Sequence, residues 1–200
     1  MVAIRNVIFD FGGVLVEWRP HEIIDAFYAE PELREAIRTL VFQHEDWVAM
    51  DRGTIDELTA VRRFAVRMAR PEAEMHALLA HVRESLKPIE SMVALLGDLR
   101  ERGYTLYGLS NMPEALFAHL QSRHDFFGLF DGIVVSAAVK LVKPDPAIYE
   151  HLRDRFAIDF AESVFIDDLP RNIESARRLG LAAIQFRNPE QVRQELAALL

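Results

Sequence analysis

An almost uninterrupted apolar run occupies residues 7–16, near the start of the chain. It reads V-I-F-D-F-G-G-V-L-V, and its one charged side chain is Asp10. A strand that is covered on both faces of a parallel sheet needs apolar side chains on both, so the pattern predicts a buried strand that ends at Asp10. Gly12 and Gly13 then allow the backbone to turn sharply. By itself, this stretch fits a turn-capping aspartate as well as a functional one.

From residue 20 to residue 86 the apolar pattern is helical. Pro31 suits the first turn of a helix, where its missing N–H costs nothing. Thr54 and Glu57 have the spacing of a capping box, which predicts a helix that begins at Ile55. Apolar residues then recur at helical spacing. We expect an all-helical insertion of about four helices here.

After Lys87-Pro88 strand patterns and helix patterns alternate to the end of the chain. Alternation of this kind predicts an α/β fold with a doubly wound, Rossmann-like parallel sheet. The predicted strands are 104–109, 132–136, 163–166 and 181–186, and a helix follows each of them.

Polar side chains follow three of the predicted strands at the point where each strand ends. They are Asp10 after the first strand, Ser110 and Asn111 after strand 104–109, and Asp167 and Asp168 after strand 163–166. The carboxyl ends of parallel strands share one edge of the sheet, so these side chains can converge in one crevice. The free N–H groups of the following helices suit a phosphate group there.

Each of these residues also has a purely structural explanation. The pair Ser110-Asn111 is typical of helix N-caps, and Lys143, before a Pro-Asp-Pro turn, is typical of a surface lysine. The pair Asp167-Asp168 is harder to explain in this way, because adjacent carboxylates repel each other unless a cation lies nearby. Lys143 is preferred to Lys140 because it directly abuts a helix start. The joint occurrence of these groups along one sheet edge favours a shared site.

Composition narrows the classes of protein further. The 200 residues are 50% hydrophobic, which suits one domain with a modest insertion. A net charge of −8 argues against a nucleic-acid partner. The absence of cysteine excludes disulfides and thiolate chemistry. Arg5 and Asp10 interrupt any signal-peptide core, and no apolar run is long enough for a membrane span, so we expect a soluble, cytoplasmic protein with no membrane association.

Four motifs in this order are similar to those of a known superfamily. They are I-F-D-F-G-G-V at 8–14, L-S-N at 109–111, Lys143 in K-P-D-P-A-I-Y, and F-I-D-D-L-P-R-N at 165–172. With them the chain resembles the haloacid dehalogenase-like (HAD) hydrolases over its whole length. The resemblance implies an α/β core domain of residues 1–17 and 87–200 and an all-helical cap domain of residues 18–86.

The resemblance also implies roles for individual residues. Asp10 would be the nucleophile that forms an aspartyl-phosphate with a small phosphorylated substrate. The cofactor would be Mg²⁺, bound by the Asp10 carboxylate, the Gly12 carbonyl and Asp168, with Asp167 either a further ligand or a group that orients Lys143. Ser110, Asn111 and Lys143 would hold the phosphoryl oxygens. The chain would act as a monomer or a homodimer.

One position departs from the phosphatases of this superfamily. They usually carry a second aspartate two residues after the nucleophile, which protonates the leaving group, and this chain has Gly12 there. Loss of such a group costs about 10²–10⁴-fold in rate and affects poor leaving groups most. A glycosyl or acyl phosphate would suffer less, and the subgroup with glycine here includes sugar-1-phosphate phosphatases. A water or a cap residue such as Trp18, Arg19 or His21 is an alternative proton source.

Three functions remain open at this point. The first is a Mg²⁺-dependent phosphatase of a small phosphorylated metabolite, a sugar phosphate among the options. The second is a haloacid dehalogenase that needs no metal, which the acid pair Asp167-Asp168 disfavours. The third is a phosphometabolite-binding module without turnover, which the glycine at position 12 would allow.

Overall fold

A five-stranded, all-parallel sheet lies at the centre of the molecule, and the computed structural model describes residues 3–200. The strand order is β3-β2-β1-β4-β5. Phe9 of the central strand β1 lies beside Gly108 of β2 and Ile166 of β4. The strands are β1 Asn6–Phe9, β2 Thr105–Ser110, β3 Gly132–Val135, β4 Ser163–Asp167 and β5 Ala182–Gln185. The predicted doubly wound α/β fold is therefore confirmed.

Helices cover both faces of this sheet. They are α6 Glu90–Glu101, α7 Glu114–Arg123, α8 Ser136–Val139, α9 Pro146–Phe156, α10 Pro170–Arg178 and α11 Pro189–Leu199. The short helix α8 was not expected from the sequence. Val7 and Phe9 belong to one apolar cluster with Leu96 of α6, whereas Ile8 belongs to a second cluster with Tyr149 of α9. Successive side chains of β1 thus enter opposite layers, which is why the strand needs an unbroken apolar run.

The segment between β1 and α6 is helical, as predicted, but it holds more elements than expected. These are α1 Pro20–Phe27, α2 Pro31–Ile37, a π-helical segment Arg38–Phe42, α3 Glu45–Asp51, α4 Glu57–Met68 and α5 Glu72–Ser85. Five α-helices and the π-helical segment replace the predicted four helices. Their buried residues, among them Ile24, Ile37, Phe64 and Met75, form an apolar cluster of their own. This separate cluster supports the proposed division into a core and a cap of residues 18–86, which stays a prediction.

The capping box predicted at Thr54 is wrong. Helix α4 begins at Glu57, and the carboxylate of Asp56 accepts a hydrogen bond from the Thr59 N–H at 2.8 Å. Thr54 Oγ1 instead donates to the carbonyl of Ala49 at 3.0 Å and closes the preceding helix. A carboxylate next to the first turn also complements the helix dipole, so Asp56 is the better cap.

Two short crossings join the helical segment to the sheet, and they pair with each other. The Glu17 N–H donates to the Lys87 carbonyl and the Ile89 N–H donates to the Leu15 carbonyl, each at 2.8 Å. Helices α1–α5 are thereby held over the carboxyl end of β1. Within residues 3–200, no helix combines the length and the apolar character that crossing a bilayer would require.

Candidate active site

The polar residues predicted at strand ends lie together at the carboxyl edge of the sheet. Asp10 directly follows β1, Ser110 is the last residue of β2, and Asp167 is the last residue of β4. All three are buried, with exposed fractions of 7%, 1% and 0%. A cavity of about 590 Å³ lies between this edge and the helical segment, and Asp10, Ser110 and Asp168 line it.

Lys143 is the centre of the charged network. Its Nζ lies 2.9 Å from Asp10 Oδ1 and 2.7 Å from Asp167 Oδ2, and it donates a hydrogen bond to the Leu109 carbonyl at 2.8 Å. Burial disfavours the charged ammonium, but the carboxylates of Asp10 and Asp167 outweigh it and raise the pKa of Lys143. The ammonium is therefore fixed beside Asp10 and remains charged. Lys140, the alternative lysine that was not preferred from the sequence, donates from Nζ to the Gly53 carbonyl.

Asn111 holds the backbone of Lys143. Its Oδ1 accepts from the Lys143 N–H at 2.8 Å, and its Nδ2 donates to the Lys143 carbonyl at 2.9 Å. The sequence suggested a phosphoryl-binding role for this amide. In the structure its observed hydrogen bonds position the backbone of the lysine, and the phosphoryl-binding role stays a prediction.

Asp167 is oriented by groups on both of its oxygens. Oδ1 accepts hydrogen bonds from the Leu169 N–H at 2.8 Å and from Asn172 Nδ2 at 2.9 Å. Oδ2 faces Lys143 and accepts a second contact from Asn172 Nδ2 at 3.0 Å. Asn172 was not identified as a site residue from the sequence, although it is the last residue of the F-I-D-D-L-P-R-N motif at 165–172. With its oxygens engaged in this way, Asp167 is suited to orienting Lys143.

The three aspartates form a donor set that can hold a divalent cation. Asp10, Asp167 and Asp168 each offer a carboxylate oxygen within 4.8 Å of the others. Burial first, and then neighbouring carboxylates, raise the pKa of Asp10 to about 8 and that of Asp168 to about 6, against the opposing effect of Lys143. Within residues 3–200 the side chain of Asp168 accepts no hydrogen bond. Hard oxygen donors with excess negative charge fit Mg²⁺.

Gly12 and Gly13 have different reasons to be glycine. Gly13 has a φ of +79°, and a Cβ there would lie 2.7 Å from Asp168 Oδ2, so a side chain would displace this carboxylate. At Gly12 a Cβ would meet nothing closer than Trp18 Cβ at 3.6 Å, an ordinary contact. Position 12 thus has room for a side chain, and crowding does not explain the glycine.

The helical segment supplies the opposite wall of the cavity. Of the predicted cap candidates, Trp18 and His21 line it. Arg19 is exposed and pairs with Glu22 at 3.3 Å. The sequence missed several residues from the segment 38–52 that also line the cavity. They are Arg38, Phe42, Gln43, Trp47, Val48, Asp51 and Arg52.

One part of this wall is aromatic. The ring of Trp47 stacks on Phe42 with 4.5 Å between centroids, and Trp18 lies 6.1 Å from Phe42 and 6.0 Å from Trp47. Arg38 lines the cavity as well, and its Nε is buried with no hydrogen-bond partner in residues 3–200. The wall therefore offers an apolar surface to a ligand.

The chain is similar in sequence to known phosphatases and in fold to a solved HAD family enzyme. A sesquiterpene phosphatase of Aspergillus oryzae is 30% identical over 98% of this chain and 96% of its own length. A D-ribitol-5-phosphate phosphatase of Bacteroides thetaiotaomicron is 26% identical over 98% of each chain. A HAD family enzyme of the same bacterium, solved with magnesium and inorganic phosphate, shares the fold with a TM-score of 0.74 at 21% identity over 92% of this chain and 95% of its own.

The family model described as haloacid dehalogenase-like hydrolase matches residues 4–180. This range contains β1 with Asp10, the helical segment, Lys143, and the Asp167-Asp168 pair. The resemblance inferred from the motifs is thus confirmed: the chain belongs to the haloacid dehalogenase-like hydrolase family.

Proposed function

We propose that the protein is a Mg²⁺-dependent phosphatase of a small phosphorylated metabolite and that it acts through an aspartyl-phosphate on Asp10. The convergence of Asp10, Lys143 and Asp168 at the cavity floor is the observation that carries the proposal. Two phosphatases among the relatives support it. The excess of carboxylates disfavours a dehalogenase, which needs no cation.

Asp10 is prepared for nucleophilic attack by its contacts. Its Oδ1 accepts from the Phe11 N–H at 2.7 Å and faces Lys143, which fixes the carboxylate plane. Oδ2 accepts no hydrogen bond within residues 3–200 and is the oxygen that would attack phosphorus. Lys143 and Ser110 would hold the phosphoryl oxygens as charge develops on them.

The residues around Asp10 fit a bound Mg²⁺, which would neutralise the phosphoryl charge. Asp10, Asp168 and the Gly12 carbonyl would bind the cation. Asp167, whose oxygens already face Lys143 and Asn172, would orient the lysine. For the acid pair we therefore propose Asp168 as the direct ligand, which the hydrogen bonds of Asp167 to Lys143 and Asn172 support.

The aromatic wall favours a substrate with an apolar organic group. The rings of Trp18, Phe42 and Trp47 give an apolar surface that a prenyl or aromatic group would contact. A sugar phosphate is the second candidate, supported by the two arginines of the helical segment that line the cavity, Arg38 and Arg52. The named activities of the two relatives, on a sesquiterpene and on ribitol 5-phosphate, span the same two classes.

A substrate panel tests the proposal. Phosphate release is measured with farnesyl phosphate, glucose 1-phosphate, ribitol 5-phosphate and 4-nitrophenyl phosphate, each with Mg²⁺ and with EDTA. We expect release that requires Mg²⁺ and a higher kcat/KM for farnesyl phosphate than for either carbohydrate phosphate. Activity that is unchanged in EDTA would contradict the metal mechanism. Stabilisation by these compounds without phosphate release would instead indicate a binding module.

A further inference from the structure

Asp51 is the carboxylate of the helical segment that shares the cavity with Asp10 and Gly12. It is the last residue of α3, and its side chain is partly buried. Within residues 3–200 its carboxyl group makes no hydrogen bond and no ion pair. A carboxyl group without a partner that lines the same cavity as the nucleophile is a candidate to contact a ligand.

The core of the protein fixes the backbone around Asp51. Ser136 Oγ donates to the Asp51 carbonyl, and the same oxygen accepts from the Met112 N–H at 2.9 Å. Met112 directly follows the Ser110-Asn111 pair at the end of β2. Asp51 is therefore positioned by the loop that carries the predicted phosphoryl-binding residues.

A second contact holds the turn that follows Asp51, at the end of α3, close to the α/β core. Lys140 Nζ donates to the Gly53 carbonyl at 2.6 Å. Gly53 has a φ of +68°, and a Cβ there would lie 2.5 Å from the Ala137 carbonyl oxygen. Only glycine allows this approach, so the end of α3 is built to reach the sheet edge.

We infer that Asp51 is the proton donor to the leaving group, and that it takes the place of the side chain absent at Gly12. This inference rests on the proposed phosphatase function. The other titratable groups by which the helical segment lines the cavity are less suited: Arg38 and Arg52 do not release protons at neutral pH. His21 is exposed at the start of α1.

The direction in which the pKa of Asp51 is shifted supports this role. Burial, and secondarily the charge of Asp10, raise the pKa of Asp51 well above its ordinary value. A raised pKa favours the protonated carboxyl group, which is the form that donates a proton as charge develops on the leaving group.

The reaction then balances in two steps. Asp10 Oδ2 attacks phosphorus, the bond from phosphorus to the ester oxygen breaks, and that oxygen takes the electron pair of the bond and the proton of Asp51. A water molecule next attacks the aspartyl-phosphate and gives its proton to the Asp51 carboxylate. The bond between phosphorus and Asp10 breaks, which restores both residues and releases phosphate.

Asp51→Asn tests this role through the leaving group. We expect the rate of the first turnover to fall about 10²-fold or more with an alkyl phosphate and less than about fivefold with 4-nitrophenyl phosphate, whose leaving group needs no proton. Glu45→Gln, which removes an exposed carboxylate at the other end of α3, is the matched control and should change neither rate. An equal loss with both substrates, or no loss with the alkyl phosphate, would overturn the inference.

A second variant separates chemistry from folding. Position 12 has room for a side chain, so Gly12→Asp should supply the missing acid. We expect the double variant to hydrolyse the alkyl phosphate at least about tenfold faster than Asp51→Asn alone. If the double variant melts at the same temperature as the wild type and yet is no faster than Asp51→Asn, the inference is overturned. Failure of the proposed function is distinct, because the wild-type protein would then release no phosphate from any substrate.

Discussion

The side-chain amide of Asn111 is bonded to both backbone groups of Lys143, at 2.8 Å and 2.9 Å. In the sequence, α7, β3 and α8 lie between the two residues. The amide joins the end of β2 to the start of α9, and the lysine ammonium reaches Asp10 from this fixed backbone. The position of the Lys143 ammonium therefore depends on the neutral side chain of Asn111, whose observed hydrogen bonds go to Lys143 and not to Asp10.

We predict that Asn111→Ala lowers kcat by about 10- to 100-fold, because Lys143 loses its backbone anchor while keeping its charge. Steady-state kinetics with 4-nitrophenyl phosphate measures the effect. If kcat stays unchanged and only KM rises, the amide binds the phosphoryl group directly, as the family resemblance implied, and the positioning role is wrong.

Asp10→Asn is expected to lower kcat by about 10³-fold or more, because a neutral amide cannot form the aspartyl-phosphate. Acid-quenched protein analysed by mass spectrometry should show the phosphorylated species in the wild type and not in the variant. Asp125→Asn, an exposed aspartate outside the cavity, removes the same charge and should leave kcat unchanged. Equal activity of Asp10→Asn and the wild type would rule out Asp10 as the nucleophile.

The two adjacent aspartates should respond differently to the same substitution. Asp168→Asn is expected to raise the Mg²⁺ concentration for half-maximal activity at least about tenfold while leaving stability nearly unchanged, since its carboxylate makes no hydrogen bond within residues 3–200. Asp167→Asn should lower the free energy of unfolding by about 3 kcal/mol, because it leaves a buried ammonium with one carboxylate fewer.

Urea unfolding without metal and Mg²⁺ titration of activity measure these two effects separately. Each variant serves as the control of the other, because both remove one negative charge at neighbouring positions. The assignment of roles fails if Asp167→Asn weakens the Mg²⁺ response while Asp168→Asn destabilises the fold.

Asp46 holds two helices of the helical segment together and gives a prediction on pH. Its carboxylate lies 2.7 Å from Arg63 Nη1 and also pairs with Arg67, both on α4. Burial opposes ionisation, but the hydrogen bonds from Arg67 and Arg63 hold the pKa of Asp46 below its ordinary value. Asp46→Asn should therefore lower the free energy of unfolding by about 2 kcal/mol near pH 7, a value reduced because Arg63 is half exposed.

The sign of this effect fixes its pH window. A lowered pKa in the folded state adds stability above the unfolded value of about 4, and this stability is lost as the pH falls through the lower folded value. The difference between the wild type and Asp46→Asn should thus be largest near pH 7 and shrink below about pH 4. Glu45→Gln, an exposed neighbour in the same helical turn, should show no comparable difference. A difference between wild type and Asp46→Asn that is the same at pH 3 and pH 7 would contradict the ion-pair explanation.

Most of the fold followed from local patterns. The unbroken apolar run before Asp10 required a strand covered on both faces, and the alternation after Pro88 required a parallel sheet. Helix boundaries were predicted less accurately where two residues can serve as the cap: Asp56, rather than Thr54, caps α4. The number of helices between residues 20 and 86 was also underestimated, because short helices joined by brief turns share one continuous helical pattern.

By itself, the sequence determined which residues of the α/β core form the candidate site. Parallel strands bring their carboxyl ends to one edge of the sheet, whatever the path of the loops between them. Asp10, Ser110 and the Asp167-Asp168 pair lie together for this reason. Tertiary structure alone decided which residues face them from the helical segment. Helical periodicity shows which side of α3 is apolar, but it carries no information on what lies beyond the last turn. Asp51 reaches the cavity through long-range contacts of its backbone and of Gly53 with the core, and no local pattern encodes such contacts.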